Sequence, residues 1–213
     1  MELYLARHGQ TDWNVGDRYQ GTYDEPLNAR GHQQARELAA ALPRTIEQIV
    51  VSPMRRAQQT AEPVIAALGV PSITHEAFRE RSFGRWEGLT YAEARALDPA
   101  LFDRGGIFRF DEQPPGAEPL QALVDRTGNG LREVAQRFPD RRVLLIVHGF
   151  VIRALRLQLE GMSPDELWAM PKPMNGQIFH YPPAHVQRWL STGEATRLQG
   201  ADILTTASAT SAV

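Results

Sequence analysis

The stretch from Leu3 to Asn14 constrains this chain most. Leu3 to Ala6 reads as a short buried strand that stops at Arg7-His8-Gly9. Glycine lets the backbone turn there at no steric cost, which leaves an arginine and a histidine side by side at a strand's carboxyl end. Open α/β sheets bind ligands along that edge. A permanent cation beside an imidazole suits an anionic substrate. It also opposes protonation of the ring, keeping it neutral and nucleophilic near neutral pH. A surface histidine in a loop satisfies the same tripeptide, so the rest of the chain must discriminate.

A second stretch repeats the pattern. Val143 to Val147 is the clearest strand in the sequence, it ends at His148-Gly149, and Ile152, Leu155 and Leu159 mark the helix that follows. Between the two, strands and helices alternate. Val15 to Pro26 is a turn-rich loop in which Gln20-Gly21-Thr22 can return to the edge. Asn28 caps a helix through Leu42, with Ala35, Leu38, Ala39 and Leu42 at helical spacing. Ile49 to Val51 is a buried strand leading into Ser52-Pro53-Met54-Arg55-Arg56-Ala57, where serine reads as an N-cap and proline as the first helical residue. Two arginines in a first turn conflict with the positive end of the helix dipole, and a bound anion there would relieve the conflict.

Ile73 to Phe78 reads as another strand, ending at Arg79-Glu80-Arg81, which on charge pattern alone is a surface ion pair. Thr90 caps a helix from Tyr91 to Leu97. Asp103 to Pro119 is a long excursion over the site, with Ile107, Phe108 and Phe110 either lining a pocket or anchoring the loop. Leu120 to Phe138 is a helix. After the Asn175-Gly176 turn, Gln177 to Tyr181 and Val186 to Leu190 read as a final hairpin separated by Pro182-Pro183. His32, His75, His180 and His185 are taken as structural or solvated. The alternation implies an α/β chain, a three-layer α/β/α sandwich around a mostly parallel sheet, as one domain over residues 1–190, followed by a frayed tail over 191–213.

Composition narrows the function classes. A formal net charge of -2 over 213 residues argues against a general nucleic-acid or anionic-membrane binder. With no cysteine, disulfides, thiolate zinc sites and cysteine nucleophiles are excluded together. No basic region followed by a long apolar run opens the chain, and no segment is long enough to span a bilayer, so a cytoplasmic monomer or homodimer is expected. Dinucleotide fingerprints, phosphate loops, nucleophile elbows and His-Glu-x-x-His metal spacing are all missing. What remains is two histidines, two or three arginines and an acid at strand ends and helix starts.

In that arrangement the sequence resembles the histidine phosphatase superfamily, also called the phosphoglycerate mutase-like family. The resemblance is carried by Leu5-Ala6-Arg7-His8-Gly9-Gln10-Thr11-Asp12-Trp13-Asn14, Gln20-Gly21, Pro26-Leu27-Asn28, Ser52 to Ala61, Phe78-Arg79-Glu80, Gly84 to Gly88, and Val147 to Arg153. These motifs follow the family's order over roughly the first 190 residues. The resemblance implies that His8 is the nucleophile and carries a phosphohistidine. It implies that Arg7, Arg56 and His148 surround the phosphoryl oxygens, with Asn14 and the Gly149 backbone completing the cradle and Thr11, Gln20 and Gly21 nearby. Glu80 matches the proton donor, whereas Glu87 is given a structural role. Neither metal nor cofactor is implied, because the arginines supply the positive charge. The shorter, phosphatase-type members are the better match, which implies hydrolysis of a small phosphorylated metabolite. A phosphoglycerate mutase or phosphotransferase, a non-catalytic phosphate-binding protein and a metal-dependent hydrolase stay open as alternatives. Phe150 stands where many members carry glycine, and Gly116-Ala117-Glu118-Pro119 replaces Gly-Gly-Glu-Ser.

Overall fold

A computed structural model describes residues 1–193 and 203–204. Strands β1 (Glu2–Arg7), β2 (Gln48–Val51), β3 (Ser72–Thr74), β4 (Arg142–Val147), β5 (Ile178–Tyr181) and β6 (Ile203–Leu204) form one sheet in the order β3-β2-β4-β1-β5-β6. The first four run parallel, β5 lies antiparallel to β1, and β6 lies antiparallel to β5. Register pairs Leu3 with Val143 and Arg7 with Val147. The two strands that precede His8 and His148 are therefore neighbours at the centre of the sheet, ending level with one another.

Nine helices accompany the strands among the described residues: α1 (Asp12–Val15), α2 (Ala29–Ala41), α3 (Arg55–Leu68), α4 (Tyr91–Leu97), α5 (Pro99–Asp103), α6 (Leu120–Arg137), α7 (Gly149–Glu160), α8 (Pro164–Ala169) and α9 (Pro183–Thr192). Alternation along the strands divides the core between two faces, because successive side chains point to opposite sides. Leu3, Leu5, Val143, Leu145 and Val147 face α6, α7 and α9, whereas Tyr4, Ala6, Leu144 and Ile146 face α2 and α3. Full burial of such an aliphatic side chain contributes about 1.5–3 kcal/mol, so the pattern fixes strand register strongly. A third cluster, built on Tyr19, Phe83, Trp86, Ala94, Leu101 and Ile107, stands apart from these two and lends residues to the cavity described below.

The helix through Leu42 is capped as its sequence indicates: Gly31 N donates to Asn28 Oδ1 at 2.9 Å. Three other expectations need correction. Residues 186–190 are not a strand. Proline at the first helical position starts α9, and Val186, Trp189 and Leu190 turn toward the core from it. The stretch from Ile73 is a strand only to Thr74; it then tightens into a 3₁₀ turn over Glu76–Phe78, capped by His75. Ser52 does not cap α3, which begins at Arg55 after Met54. Within the stretch expected as a tail, α9 continues to Thr192 and Ile203–Leu204 add an edge strand; the rest lies outside the described residues.

Candidate active site

The carboxyl ends of β1 and β4 deliver the central pair. His8 and His148 are both buried, with ring centroids 5.1 Å apart and planes inclined by 55°. The His8 main chain is held by several elements: His8 N donates to Val147 O, Gly9 N to Thr60 Oγ1 at 3.0 Å, and Asn175 Nδ2 to His8 O at 2.9 Å. Thr60 Oγ1 in turn donates to Arg56 O at 2.7 Å, tying the His8 loop to α3. Gly9 does not sit at positive φ. It is required because a Cβ there would strike the Gly31 backbone of α2.

Each ring has a defined tautomer. The His8 Nδ1 partner is the Gly9 carbonyl at 2.7 Å, which accepts only, so Nδ1 carries the proton and Nε2 keeps its lone pair. Arg56 Nε donates to His148 Nδ1 at 3.2 Å, so the His148 proton is on Nε2, which donates to Ser52 Oγ at 2.6 Å. Burial pushes both imidazoles well below the ordinary histidine range. For each the neighbouring Arg56 and Arg7 guanidiniums push the same way. Both rings are neutral at neutral pH.

Arg56 crosses from the first turn of α3 to these rings. Its Nη1 donates to Tyr23 O at 2.7 Å and its Nη2 to Gly21 O at 3.1 Å. The Glu87 carboxylate fastens that loop by accepting from Thr22 N, Thr22 Oγ1 and Phe83 N. Gly21 is at φ +51° with the Glu87 carboxylate against its α-carbon, a position no side chain fits. Arg55 is exposed, and its backbone N–H donates to Asp24 Oδ1 at 2.7 Å. The start of α3 is thus already met by a carboxylate, and it is the Arg56 side chain, not the helix end, that faces the two imidazoles.

Arg7 donates through Nη1 to Pro173 O, while its buried Nε has no hydrogen-bond partner among the described residues. Glu80 is no surface ion pair: it is 8% exposed, accepting from Arg81 N at 3.0 Å and from Phe150 N, in the first turn of α7, at 3.3 Å. Arg81 is itself fully buried, donating to the carbonyls of Glu118 and Ile107. Of the residues singled out in the sequence, Arg7, His8, Asn14, Gln20, Gly21, Arg56, Glu80 and Gly149 line a single cavity of about 360 Å³. His148 lies behind His8 and Arg56. Thr11 lies beneath the lining, where its Oγ1 accepts from Gln20 Nε2 at 2.8 Å and from Asn14 N. The outer wall is aromatic and apolar, with Tyr19, Phe83, Phe102, Ile107, Phe108 and Phe150. Phe110 packs on the main core instead.

Sequence reading missed three supporting groups. Asn175, read only as a turn residue, donates to His8 O and lies 3.1 Å from Asn14 Oδ1; Ser52 orients His148; Thr60 anchors Gly9. None has a local signal, because each acts across a long sequence separation.

The profile of the histidine phosphatase superfamily (branch 1) matches residues 3–190. The chain belongs to this superfamily. It is 37% identical over 162 residues to the uncharacterized phosphatase PhoE of Bacillus subtilis (strain 168), covering 76% of this chain and 78% of that one. It is 35% identical over 181 residues to a 2,3-bisphosphoglycerate-dependent phosphoglycerate mutase of Methylobacterium sp. (strain 4-46), covering 78% and 86%. Among solved structures, Bacillus stearothermophilus YhfR superposes with a TM-score of 0.78 at 32% identity, covering 84% of this chain and 89% of that one. Membership of this superfamily supports an enzyme of phosphatase type. No helix among the described residues is long and apolar enough to cross a membrane.

Proposed function

We propose that this protein hydrolyses small phosphate monoesters through a phosphohistidine on His8, without a metal ion. The observation that carries the reading is the His8 tautomer: with Nδ1–H bound to Gly9 O, the lone pair is on Nε2 of a neutral ring that lines the cavity between Arg7 and Arg56. In the first step Nε2 bonds to phosphorus as the P–O bond to the alcohol breaks. The carboxyl group of Glu80 gives its proton to the departing oxygen. In the second step the Glu80 carboxylate takes a proton from water, the resulting hydroxide oxygen bonds to phosphorus, and the N–P bond breaks to release inorganic phosphate. Charge spreading over the phosphoryl oxygens is met by the Arg7 and Arg56 guanidiniums. Two imidazoles set among guanidiniums form a donor set that repels a cation and attracts an anion, which supports the metal-independent reading.

The aromatic outer wall favours esters with an apolar portion, and the phosphatase names among the relatives support hydrolysis as the reaction. A mutase is the second reading, carried by the Methylobacterium relative. Turnover of p-nitrophenyl phosphate in the presence of chelator, lost in His8→Ala, is the expected result. Activity abolished by chelator and restored by zinc would refute the metal-independent mechanism. Conversion of 3-phosphoglycerate dependent on its bisphosphate would replace hydrolysis by the mutase reading.

A further inference from the structure

The cavity holds a cation that phosphoryl transfer does not use. Arg153, in the second turn of α7, is 6% exposed and lines the same cavity as His8. Its guanidinium carbon lies 5.1 Å from the centre of the Phe108 ring and 5.9 Å from that of Phe150. Nη1 donates to Leu167 O at 2.8 Å, and among the described residues Nε and Nη2 have no partner. Two neighbouring arginines are engaged on their Nε or Nη groups. Arg156, one turn further along α7, is paired through Nε and Nη2 with Glu160 at 2.7 and 3.0 Å, and Arg18 is held by Gly88 O and Glu93. Lys172, at the same cavity, stands 3.6 Å from Asp17. Burial alone makes the Arg153 cation costly, and a buried guanidinium ordinarily has a carboxylate partner.

An unclaimed Nε/Nη2 edge offers two parallel N–H groups in one plane, the fork that matches the two oxygens of a carboxylate. The flanking aromatic rings suit an apolar group attached to it. We propose that Arg153 is a specificity-determining residue that binds a carboxylate on the alcohol portion of the substrate. The substrate class is then a phosphate monoester whose alcohol carries an apolar body and a carboxylate. This rests on the phosphatase reading above: His8 takes the phosphoryl end and Arg153 the far end of one molecule.

The test compares kcat/KM for para-carboxyphenyl phosphate and for its neutral isostere, para-carbamoylphenyl phosphate. A charge-assisted pair in a desolvated wall is expected to favour the carboxylate roughly 10-fold or more in the wild-type protein. Arg153→Met is expected to bring the ratio close to one, and Arg153→Lys to restore part of it. A wild-type ratio near one, or a ratio unchanged by Arg153→Met, overturns the proposal. A second readout needs neither a variant nor turnover. With inorganic phosphate saturating the inner site, 3-phenylpropanoate is expected to bind in an NMR titration at least several-fold more tightly than 3-phenylpropanamide. Equal binding overturns the assignment of Arg153, whereas failure of the wild-type protein to hydrolyse either ester, with the acid still preferred in the titration, overturns only the phosphatase reading.

Discussion

Replacing His8 by asparagine tests the electrostatics of the site through stability rather than rate. Asparagine keeps a donor where Nδ1–H meets Gly9 O at 2.7 Å but removes the titratable ring. In the folded protein burial, reinforced by Arg56 and Arg7, holds His8 well below its ordinary value of 6.5. In the unfolded chain it titrates normally. As pH falls through about 6.5, the unfolded state therefore takes up a proton that the folded state refuses, and stability falls with it. The contribution is complete above that value and lost below it. Between about pH 7.5 and pH 5.5 one such histidine accounts for a loss of about 1.4 kcal/mol, and His148, shifted the same way for the same reason, for as much again. Urea unfolding at the two pH values gives the loss for each protein. The loss in His8→Asn is expected to be smaller than in wild type by about 1.4 kcal/mol. An equal loss in both proteins would show that His8 protonates as freely in the fold as out of it, and the description of a neutral, desolvated nucleophile would fail.

The same shift means that His8 is still unprotonated below its ordinary pKa. The acid limb of kcat/KM is accordingly expected to fall off well below 6.5, and a midpoint at that value, abolished in a variant of His148 or Glu80, would assign it elsewhere. Glu80→Gln is expected to slow alkyl phosphates far more than p-nitrophenyl phosphate, whose leaving oxygen needs little protonation; equal losses would point to another acid. Thr60→Val leaves Gly9 N–H without its acceptor and frees Arg56 O. A buried unpaired donor costs about 1–3 kcal/mol, so a drop of that size in urea stability, with a lower kcat, is the expected outcome, and unchanged values would count against a role for this tie.

Much of the fold is legible in the sequence because burial and periodicity are local. Leu3–Ala6 and Val143–Val147 have the apolar density of strands covered on both faces, and Ala35, Leu38 and Ala39 mark one face of a helix. Position relative to the sheet then follows: a strand that ends in a basic or imidazole group and glycine presents that group at the edge. The C-terminal segment is ambiguous in sequence for a local reason. A Pro-Pro pair separates strands in some settings and starts a helix in others, and only the spacing of Val186, Trp189 and Leu190 distinguishes the two. Long-range partners were invisible. Glu80 and its flanking arginines have the pattern of a surface ion pair, yet the carboxylate is buried against the start of α7 and Arg81 beneath the 107–118 segment. Nothing near Asn175 in the sequence indicates that it reaches the His8 carbonyl. The Arg55-Arg56 pair shows both halves of the lesson. The conflict of two arginines with the helix dipole points to an anion at the helix end, whereas the structure gives that end to Asp24 and turns the Arg56 side chain to His148.

The account depends most on covalent participation of His8. Mixing the protein with an excess of a good phosphate ester, quenching in alkali within the first turnover and mapping the digest by mass spectrometry reads this directly. A phosphoryl adduct on the peptide carrying His8, stable to alkali, lost in acid and absent from His8→Asn, is the expected result. Turnover with no adduct at His8 under any quench, or an adduct on another residue, would contradict it.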